Sequence, residues 1–390
     1  MNQPIQPFGP HFGFGLYVHW PYCARICPYC DFNVYAAKDR DPALLVDAIC
    51  ADIAAHRERM PAHGALDSVY FGGGTPSLLA PEHVARILGE ADRVFGIKPG
   101  AEITLEANPN DVMRADLQGL SAAGIDRLSV GAQSLRDAAL AFLGRDHDAE
   151  GAKASVHRAM RVFRSVNVDM IYARPGQTAA DWKVELEDLL WLGMHHVSLY
   201  ELTIKDGTPF GLAVDRGQID PMSDDEQADL FELTQHILNE AGLPAYEVSN
   251  HAVSPEHQSR HNLTYWNGGD WIGVGPGAHG RLSVGGHRFA SEAEHRPEAY
   301  IANMQTLNTS WTSAHQLDAT DIARELLAMG LRPAAGINID RIEAVTGEAL
   351  PRDKMSVFMK QGWLQLDGPQ LSLTPSGRLL ADALTAQLAP

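Results

Sequence analysis

The chain has 390 residues, 45% of them hydrophobic and 21% charged, enough for one large domain and a smaller one, each with a real core. A formal net charge of −18 argues against general affinity for nucleic acid or for an anionic membrane surface. No run of about 18 apolar residues exists to span a bilayer, and "MNQPIQPFGPHFGFG" lacks both the basic start and the apolar stretch of an export signal, so a cytoplasmic location is expected.

Short β-rich runs recur along the chain, from Leu16 to His19, Ser68 to Phe71, Glu102 to Leu105, Arg127 to Val130, Val168 to Ile171 and Val197 to Tyr200. Helical patterns separate them, as in "DPALLVDAICADIAAH", where Leu45, Ile49 and Ile53 recur at i, i+4 and i+8 on one face. Strands alternating with helices imply βαβ units and a parallel sheet, hence an α/β fold. Six such units suit an open, partial (β/α)6 barrel better than a closed eightfold one, which takes roughly 250 residues. In that architecture the chemistry gathers at the C-terminal ends of the strands.

After Gly280 the character changes. The stretch from 291 to 315, polar and broken by Gly and Pro, is expected to connect a core domain over 1–290 to a C-terminal unit over 316–390. Helical patterns resume at "ATDIARELLAMGL", "NIDRIEAVTG" and "RDKMSVFMKQG". Then "WLQLDGPQLSLTPSGRLLADALTAQL" reads as strand, turn, strand and closing helix, resembling a small winged-helix-like α+β module. Such modules often bind DNA. From Asp318 onward, however, 7 Lys and Arg face 9 Asp and Glu, which does not support phosphate binding, so a structural or docking role is expected.

Three of the four cysteines fall within "CARICPYC", as Cys23, Cys27 and Cys30. The spacing C-x3-C-x2-C suits zinc poorly, because a structural zinc takes four ligands, usually from paired C-x2-C units. Cys50, in an amphipathic helix, reads as core rather than as a fourth ligand. A [4Fe–4S] cluster held by three thiolates, with one iron free of protein, is the alternative. Here the sequence resembles the radical S-adenosylmethionine (SAM) superfamily, whose hallmark is this spacing after the first barrel strand. The resemblance implies that the unique iron binds SAM and that electron transfer from the cluster yields a 5′-deoxyadenosyl radical. Downstream, "VYFGGGTPS" places glycines directly after the second strand, where a backbone can approach a ligand closely. "TLEANP" ends the third strand with Glu106, "LSVGAQS" supplies Gln133, "LGRDHD" Arg145 and "VDMIYARPGQ" Asp169, polar groups on one rim of one barrel.

The resemblance narrows on "GLYVHWPYCARICPYCDFN", "SVYFGGGTPSLL", "EANP", "DMIYARPGQT", "YEVSNHA" and "RHNLTYWNGGDWIGVGPGAHG", together with the C-terminal module. Over nearly the whole chain these look like the oxygen-independent coproporphyrinogen III oxidase family. Carried across, Cys23, Cys27 and Cys30 match the cluster ligands; Tyr17, Tyr29, Gly73, Gly74, Thr75, Glu106, Gln133, Arg145 and Asp169 match positions that contact SAM. One branch of the family decarboxylates coproporphyrinogen III; the other, the HemW-type heme chaperones, binds heme for delivery to hemoproteins. Three features favour the chaperone branch: Phe32 stands where the oxidase pattern has a further cysteine, only 22 residues precede Cys23, and "HNLTYW" matches the HNxxYW motif of the chaperones. His261 is then a candidate heme ligand, with Tyr265 and Trp266 as flat partners for a porphyrin. The expectation is a cytoplasmic heme chaperone without coproporphyrinogen oxidase activity. It would bind a [4Fe–4S] cluster, SAM and heme as cargo, and meet recipient hemoproteins and an electron donor such as flavodoxin or ferredoxin, with a homodimer left open. The alternatives are the oxygen-independent dehydrogenase itself and a cluster-based redox sensor that binds DNA through the C-terminal module.

Overall fold

The computed structural model describes residues 5–37, 40–60 and 62–390. Residues 1–4, part of the stretch read above for an export signal, lie outside them. One large sheet organises the molecule. Its strands are β1 (Phe14–Trp20), β2 (Leu66–Gly73), β3 (Ile97–Ala107), β4 (Arg127–Gln133), β5 (Ser165–Tyr172), β6 (His196–Glu201), β7 (Asn250–Ala252), β8 (Asp270–Val274), β9 (His279–Val284), β10 (His287–Ala293) and β11 (Trp311–Gln316). Their spatial order is β11-β10-β9-β8-β1-β2-β3-β4-β5-β6-β7. From β8 to β6 all neighbours run parallel, and β7 and β9–β11 are antiparallel. The six strands read from the sequence are thus the consecutive parallel set β1–β6 of an open, mixed α/β sheet.

Parallel strands are covered on both faces, and β1 shows the consequence: Phe14, Leu16, Val18 and Trp20 are buried, and so are Gly15 and His19 between them. Helix α1 (Pro42–Arg59) starts on Asp41, whose carboxylate accepts from the Ala43 N–H, and buries Leu45, Val46, Ile49 and Ile53 against the sheet. The helices α2 (Pro81–Phe95), α3 (Ala149–Met160), α4 (Ala179–Leu190) and α5 (Asp224–Glu240) continue that outer layer. A short helix, α6 (Arg260–Trp266), follows β7 and packs against β2 and β8.

The segment expected to connect the two domains, 291–315, does more than connect. Its residues finish β10, form helix α7 (Pro297–Leu307) and begin β11, which pairs antiparallel with β10. A buried carboxylate fastens it: Asp52 on α1 accepts from the Tyr300 hydroxyl at 2.7 Å and from the Ser310 hydroxyl at 2.8 Å. The core domain therefore extends through β11. Beyond it, α8 (Ala319–Gly330), α9 (Asp340–Thr346) and α10 (Arg352–Lys360) enclose a three-stranded sheet of Ile337–Asn338, Gln370–Leu373 and Leu364–Asp367. This unit has its own core around Leu326, Leu327, Ile342, Met355 and Leu371. Arg341 pins it to the barrel, donating to the carbonyls of Pro7 at 2.9 Å and Asn267 at 2.6 Å.

Removing the Asp52 carboxylate leaves two buried hydroxyls without an acceptor. Asp52→Ala should therefore lose about 3 kcal/mol in urea denaturation, against about 1 kcal/mol for Tyr300→Phe. Equal, small losses for the two would show that the carboxylate does not fasten the segment.

Candidate functional site

The site begins where β1 ends. Tyr22–Cys23 pairs in parallel with Tyr35–Ala36, closing the base of a loop that carries Cys27 and Cys30. Within it the Cys30 N–H donates to the Cys27 carbonyl at 3.2 Å. The glycines at the end of β2 clamp this loop to the sheet: the Gly74 N–H donates to the Trp20 carbonyl at 2.7 Å and the Thr75 N–H to the Tyr22 carbonyl at 2.9 Å. A Cβ on Gly74 would stand 2.8 Å from the Tyr22 carbonyl oxygen, and Gly73 adopts φ 105, so neither position accepts a side chain.

A cavity of about 350 Å³ opens beneath the loop. Cys23, Cys27 and Cys30 line it with Tyr29, and Gly73, Gly74, Thr75, Glu106, Gln133, Arg145 and Asp169 line it from the strand ends. Most of the residues singled out from the sequence thus converge on one space. Arg145 ties the parts together: it donates to Cys27 Sγ at 3.1 Å, to the Gly131 carbonyl at 3.0 Å and to Asn108 Oδ1 at 2.5 Å. Asn108 in turn donates to Thr75 Oγ1 at 3.3 Å. Asn108 was not among the residues singled out, although a polar side chain two residues past the strand-end acid Glu106 in "EANP" lies on the same rim. Gln133 takes φ 65, a left-handed conformation unusual for a side-chain-bearing residue, where the register between β4 and β5 breaks.

The carboxylates here are under strain from burial. Glu106 accepts from the Tyr70 hydroxyl at 2.8 Å and the Gly73 N–H at 3.2 Å, yet burial, with Asp169 nearby, pushes its carboxyl up to about 7. Burial also raises Asp169, which accepts from Ser129 Oγ at 2.7 Å and from Asn167 at 2.8 Å. The Cys23 thiol is pushed up to about 11 and Cys30 is raised, again by burial, so an incoming metal group must displace their protons.

Below the rim the barrel interior is polar, a feature unforeseen from the sequence. Thr104, Arg127, Ser129, Asn167, His196 and Ser198 all line the cavity. His196 sits between Asn167 Oδ1 at 2.7 Å and the Tyr246 hydroxyl at 2.9 Å, and burial holds its pKa well below the ordinary value. The available signal was a polar residue at alternate positions of otherwise apolar strands, such as Ser129 in "RLSVGAQ" and Asn167 and Asp169 in "SVNVDMIY".

Next comes the HNxxYW segment. It forms α6, which closes the barrel floor beside the starts of the strands. His261 is 1% exposed. One ring nitrogen is paired with Ser68 Oγ at 2.8 Å and the other with the Tyr265 hydroxyl at 2.6 Å, and the ring stacks on Tyr70 at 5.1 Å. Burial lowers its pKa to about 3, so it is neutral. Both His261 nitrogens are thus hydrogen-bonded within the protein in this structure, one of them to Tyr265. Trp266 lies under the Arg332 guanidinium at 4.8 Å rather than beside the cavity. From this stretch Ser259 and Asn262 reach the cavity wall. Tyr17 is also absent from that wall; its hydroxyl pairs with His19 Nδ1 at 3.0 Å.

Among the described residues no three His, Cys, Asp or Glu side chains converge tightly enough to hold one metal ion. Three thiols spread around one mouth instead fit a cluster, in which each takes a separate iron. An incomplete parallel barrel, a three-cysteine loop off its first strand and a glycine clamp beneath define a protein of the radical SAM type. The family model described as Radical SAM superfamily matches residues 17–189, and that of the HemN C-terminal domain matches residues 317–380. Heme chaperone HemW of Mycobacterium tuberculosis is 35% identical over 99% of this chain and 96% of that protein. The mitochondrial radical S-adenosyl methionine domain-containing protein 1 of Bos taurus is 35% identical over 96% of this chain and 86% of that protein. The chain belongs to the HemW family of radical SAM proteins. Superfamily membership implies SAM and a [4Fe–4S] cluster. Among solved structures, coproporphyrinogen III oxidase (HemN) from Escherichia coli superposes with a TM-score of 0.78 over 97% of this chain and 90% of that one, at 21% identity, a likeness of fold. Among the described residues no helix is long and apolar enough to cross a membrane.

Glu106 yields a pH test. Its folded pKa lies above the unfolded value of roughly 4.3, so the neutral carboxyl suits the fold and stability is lost as pH rises through about 7. Glu106→Gln cannot ionise. Measured without ligands, its stability relative to wild type should improve by about 3 kcal/mol between pH 4.5 and pH 8. Parallel pH profiles for the two proteins would contradict the raised pKa.

Proposed function

We propose that this protein is a heme chaperone that carries a [4Fe–4S] cluster on Cys23, Cys27 and Cys30 and binds SAM at the strand ends. The full-length identity to a protein named heme chaperone HemW, spanning barrel and C-terminal unit alike, carries the reading. The cavity supports the cofactor part. Its glycine loop exposes backbone polar groups beside the thiols, and Glu106 and Asp169 offer acceptors to an amino group or a ribose. Tyr29, Gly73, Gly74, Thr75, Gln133 and Arg145 complete the SAM-binding wall. When reduced, a bound cluster supplies an electron for cleaving the SAM sulfonium. Arg145 holds the Cys27 sulfur and links it to Asn108 and Gly131, which keeps the loop oriented. Heme is cargo, to be handed to recipient hemoproteins in the cytoplasm, with a flavodoxin or ferredoxin as electron donor.

Phe32 favours carrier over oxidase. It is 63% exposed at the cavity mouth, where the decarboxylating branch is expected to have a further cysteine. The test is anaerobic reconstitution followed by two assays on one sample. Heme addition should give a stable Soret band, and coproporphyrinogen III with SAM and reductant should be recovered unchanged. Conversion of coproporphyrinogen III to protoporphyrinogen IX would sink the chaperone reading in favour of the dehydrogenase. Separately, Cys23→Ala, Cys27→Ala and Cys30→Ala should each remove most of the broad visible absorbance of the cluster; a variant that retains it is not missing a ligand.

A further inference from the structure

Two residues that carry side chains hold left-handed backbone on neighbouring strand ends of the rim. Gln133, the last residue of β4, takes φ 65, and Ala173, the first after β5, takes φ 57. A Cβ crowds the following carbonyl in that region, so such residues persist only where their surroundings fix them. Among the described residues only Asn308 joins them, and asparagine tolerates that conformation.

One buried carboxylate fixes both ends. Glu185 on α4 is fully buried, and its Oε1 accepts from the Ser134 hydroxyl and, at 2.8 Å, from the Leu135 N–H. Its Oε2 meets the guanidinium of buried Arg174 at 2.6 Å, and Arg174 also donates to the Ile171 carbonyl at 2.8 Å. Ser134 follows Gln133 and Arg174 follows Ala173, so Glu185 grips each chain one residue past its left-handed turn. The helix has other means of keeping its seat. Trp182, Leu186 and Leu189 are buried, and Trp182 stacks on Tyr172 at 5.1 Å. A buried ion pair adds little stability over apolar side chains of the same volume.

Gln133 lines the cysteine-rimmed cavity. Its amide lies over Gly131, with Nε2 3.0 Å from where a Gly131 Cβ would stand, beside the carbonyl that Arg145 uses. We propose that Glu185 is a positioning residue for SAM: by holding Ser134 and Arg174 it keeps Gln133 in the left-handed backbone that aims its amide into the cavity. The proposal rests on the SAM-binding reading above. Ala173 is the other half of the clamp, because its turn brings Arg174 back to meet Glu185. The loops after β4 and β5 then close on a single acceptor, and α4, outside the barrel, acts on the ligand inside it.

The test compares anaerobically reconstituted full chains, with cluster content read from visible absorbance and SAM affinity from equilibrium dialysis. Glu185→Gln keeps the volume and removes the charge that Arg174 meets. It should retain the cluster and bind SAM about tenfold more weakly than wild type. Gln133→Ala should lose about tenfold as well, and the double variant Gln133→Ala/Glu185→Gln should lose little beyond Gln133→Ala alone. Such non-additivity marks one residue acting through the other. Losses that instead multiply, to about a hundredfold, would make Glu185 a general support and overturn the proposal. Affinity within about twofold of wild type in either single variant would overturn it too. If Glu185→Gln does not hold its cluster, Ser134→Ala decides, since it removes one bond and leaves the ion pair. A loss of about threefold, absent when residue 133 is already alanine, is then expected, and unchanged affinity would overturn the clamp. Wild type that keeps its cluster yet retains no SAM would remove the SAM reading beneath the proposal.

Discussion

One close approach of two backbones governs the rest of the molecule. Gly73, Gly74 and Thr75 come against Trp20 and Tyr22 so tightly that a Cβ on Gly74 would collide with two carbonyls, and two N–H···O bonds seal the contact. The cysteine loop has little regular structure of its own, so this clamp gives it a position. It sets the thiols above the C-terminal edge of β1–β3, within reach of Arg145 and of the polar groups that end β3, β4 and β5. Parallel strands make that possible, since their C-terminal ends all face the same way and a single rim collects one residue from each.

Much of this was legible in the sequence. The strands β1–β6 announce themselves as apolar runs at regular spacing, and three cysteines in eight positions followed by a glycine run leave few alternatives. Other parts could not be read, for physical reasons. In β11 every residue but Trp311 is exposed, so it lacks the apolar alternation that marks a half-buried strand. It is placed by pairing with β10 and by the bond of Ser310, just before it, to Asp52, long-range contacts invisible in local pattern. His261 is the instructive case. A histidine in an aromatic stretch reads as a candidate ligand, whereas the bonds of its two nitrogens, to Ser68 and Tyr265, include one to a distant strand that local pattern does not show. Arg145 was found, whereas its tie to Asn108 was not, because pairing across the rim needs the strand order.

The cavity below the cysteine loop is distinguished by its network of paired polar groups. The barrel interior is lined by hydroxyls, amides, carboxyls and Arg127, hydrogen-bonded to one another, and suits a small, hydrophilic molecule with many donors. The cleft between the barrel and the C-terminal unit is mixed, with Trp363, Leu379 and Leu380 beside Arg332, Arg378 and several carboxylates. The C-terminal unit supplies one wall of that cleft.

Transfer is the act that separates a carrier from a protein that merely binds heme. The most direct measurement mixes heme-loaded, cluster-reconstituted protein with an apo-hemoprotein whose heme-bound spectrum is distinct, and compares the transfer rate with heme loss to a passive scavenger. Transfer that rises with recipient concentration and outpaces passive loss is the predicted result. Transfer no faster than passive loss, whatever the recipient concentration, would contradict the account.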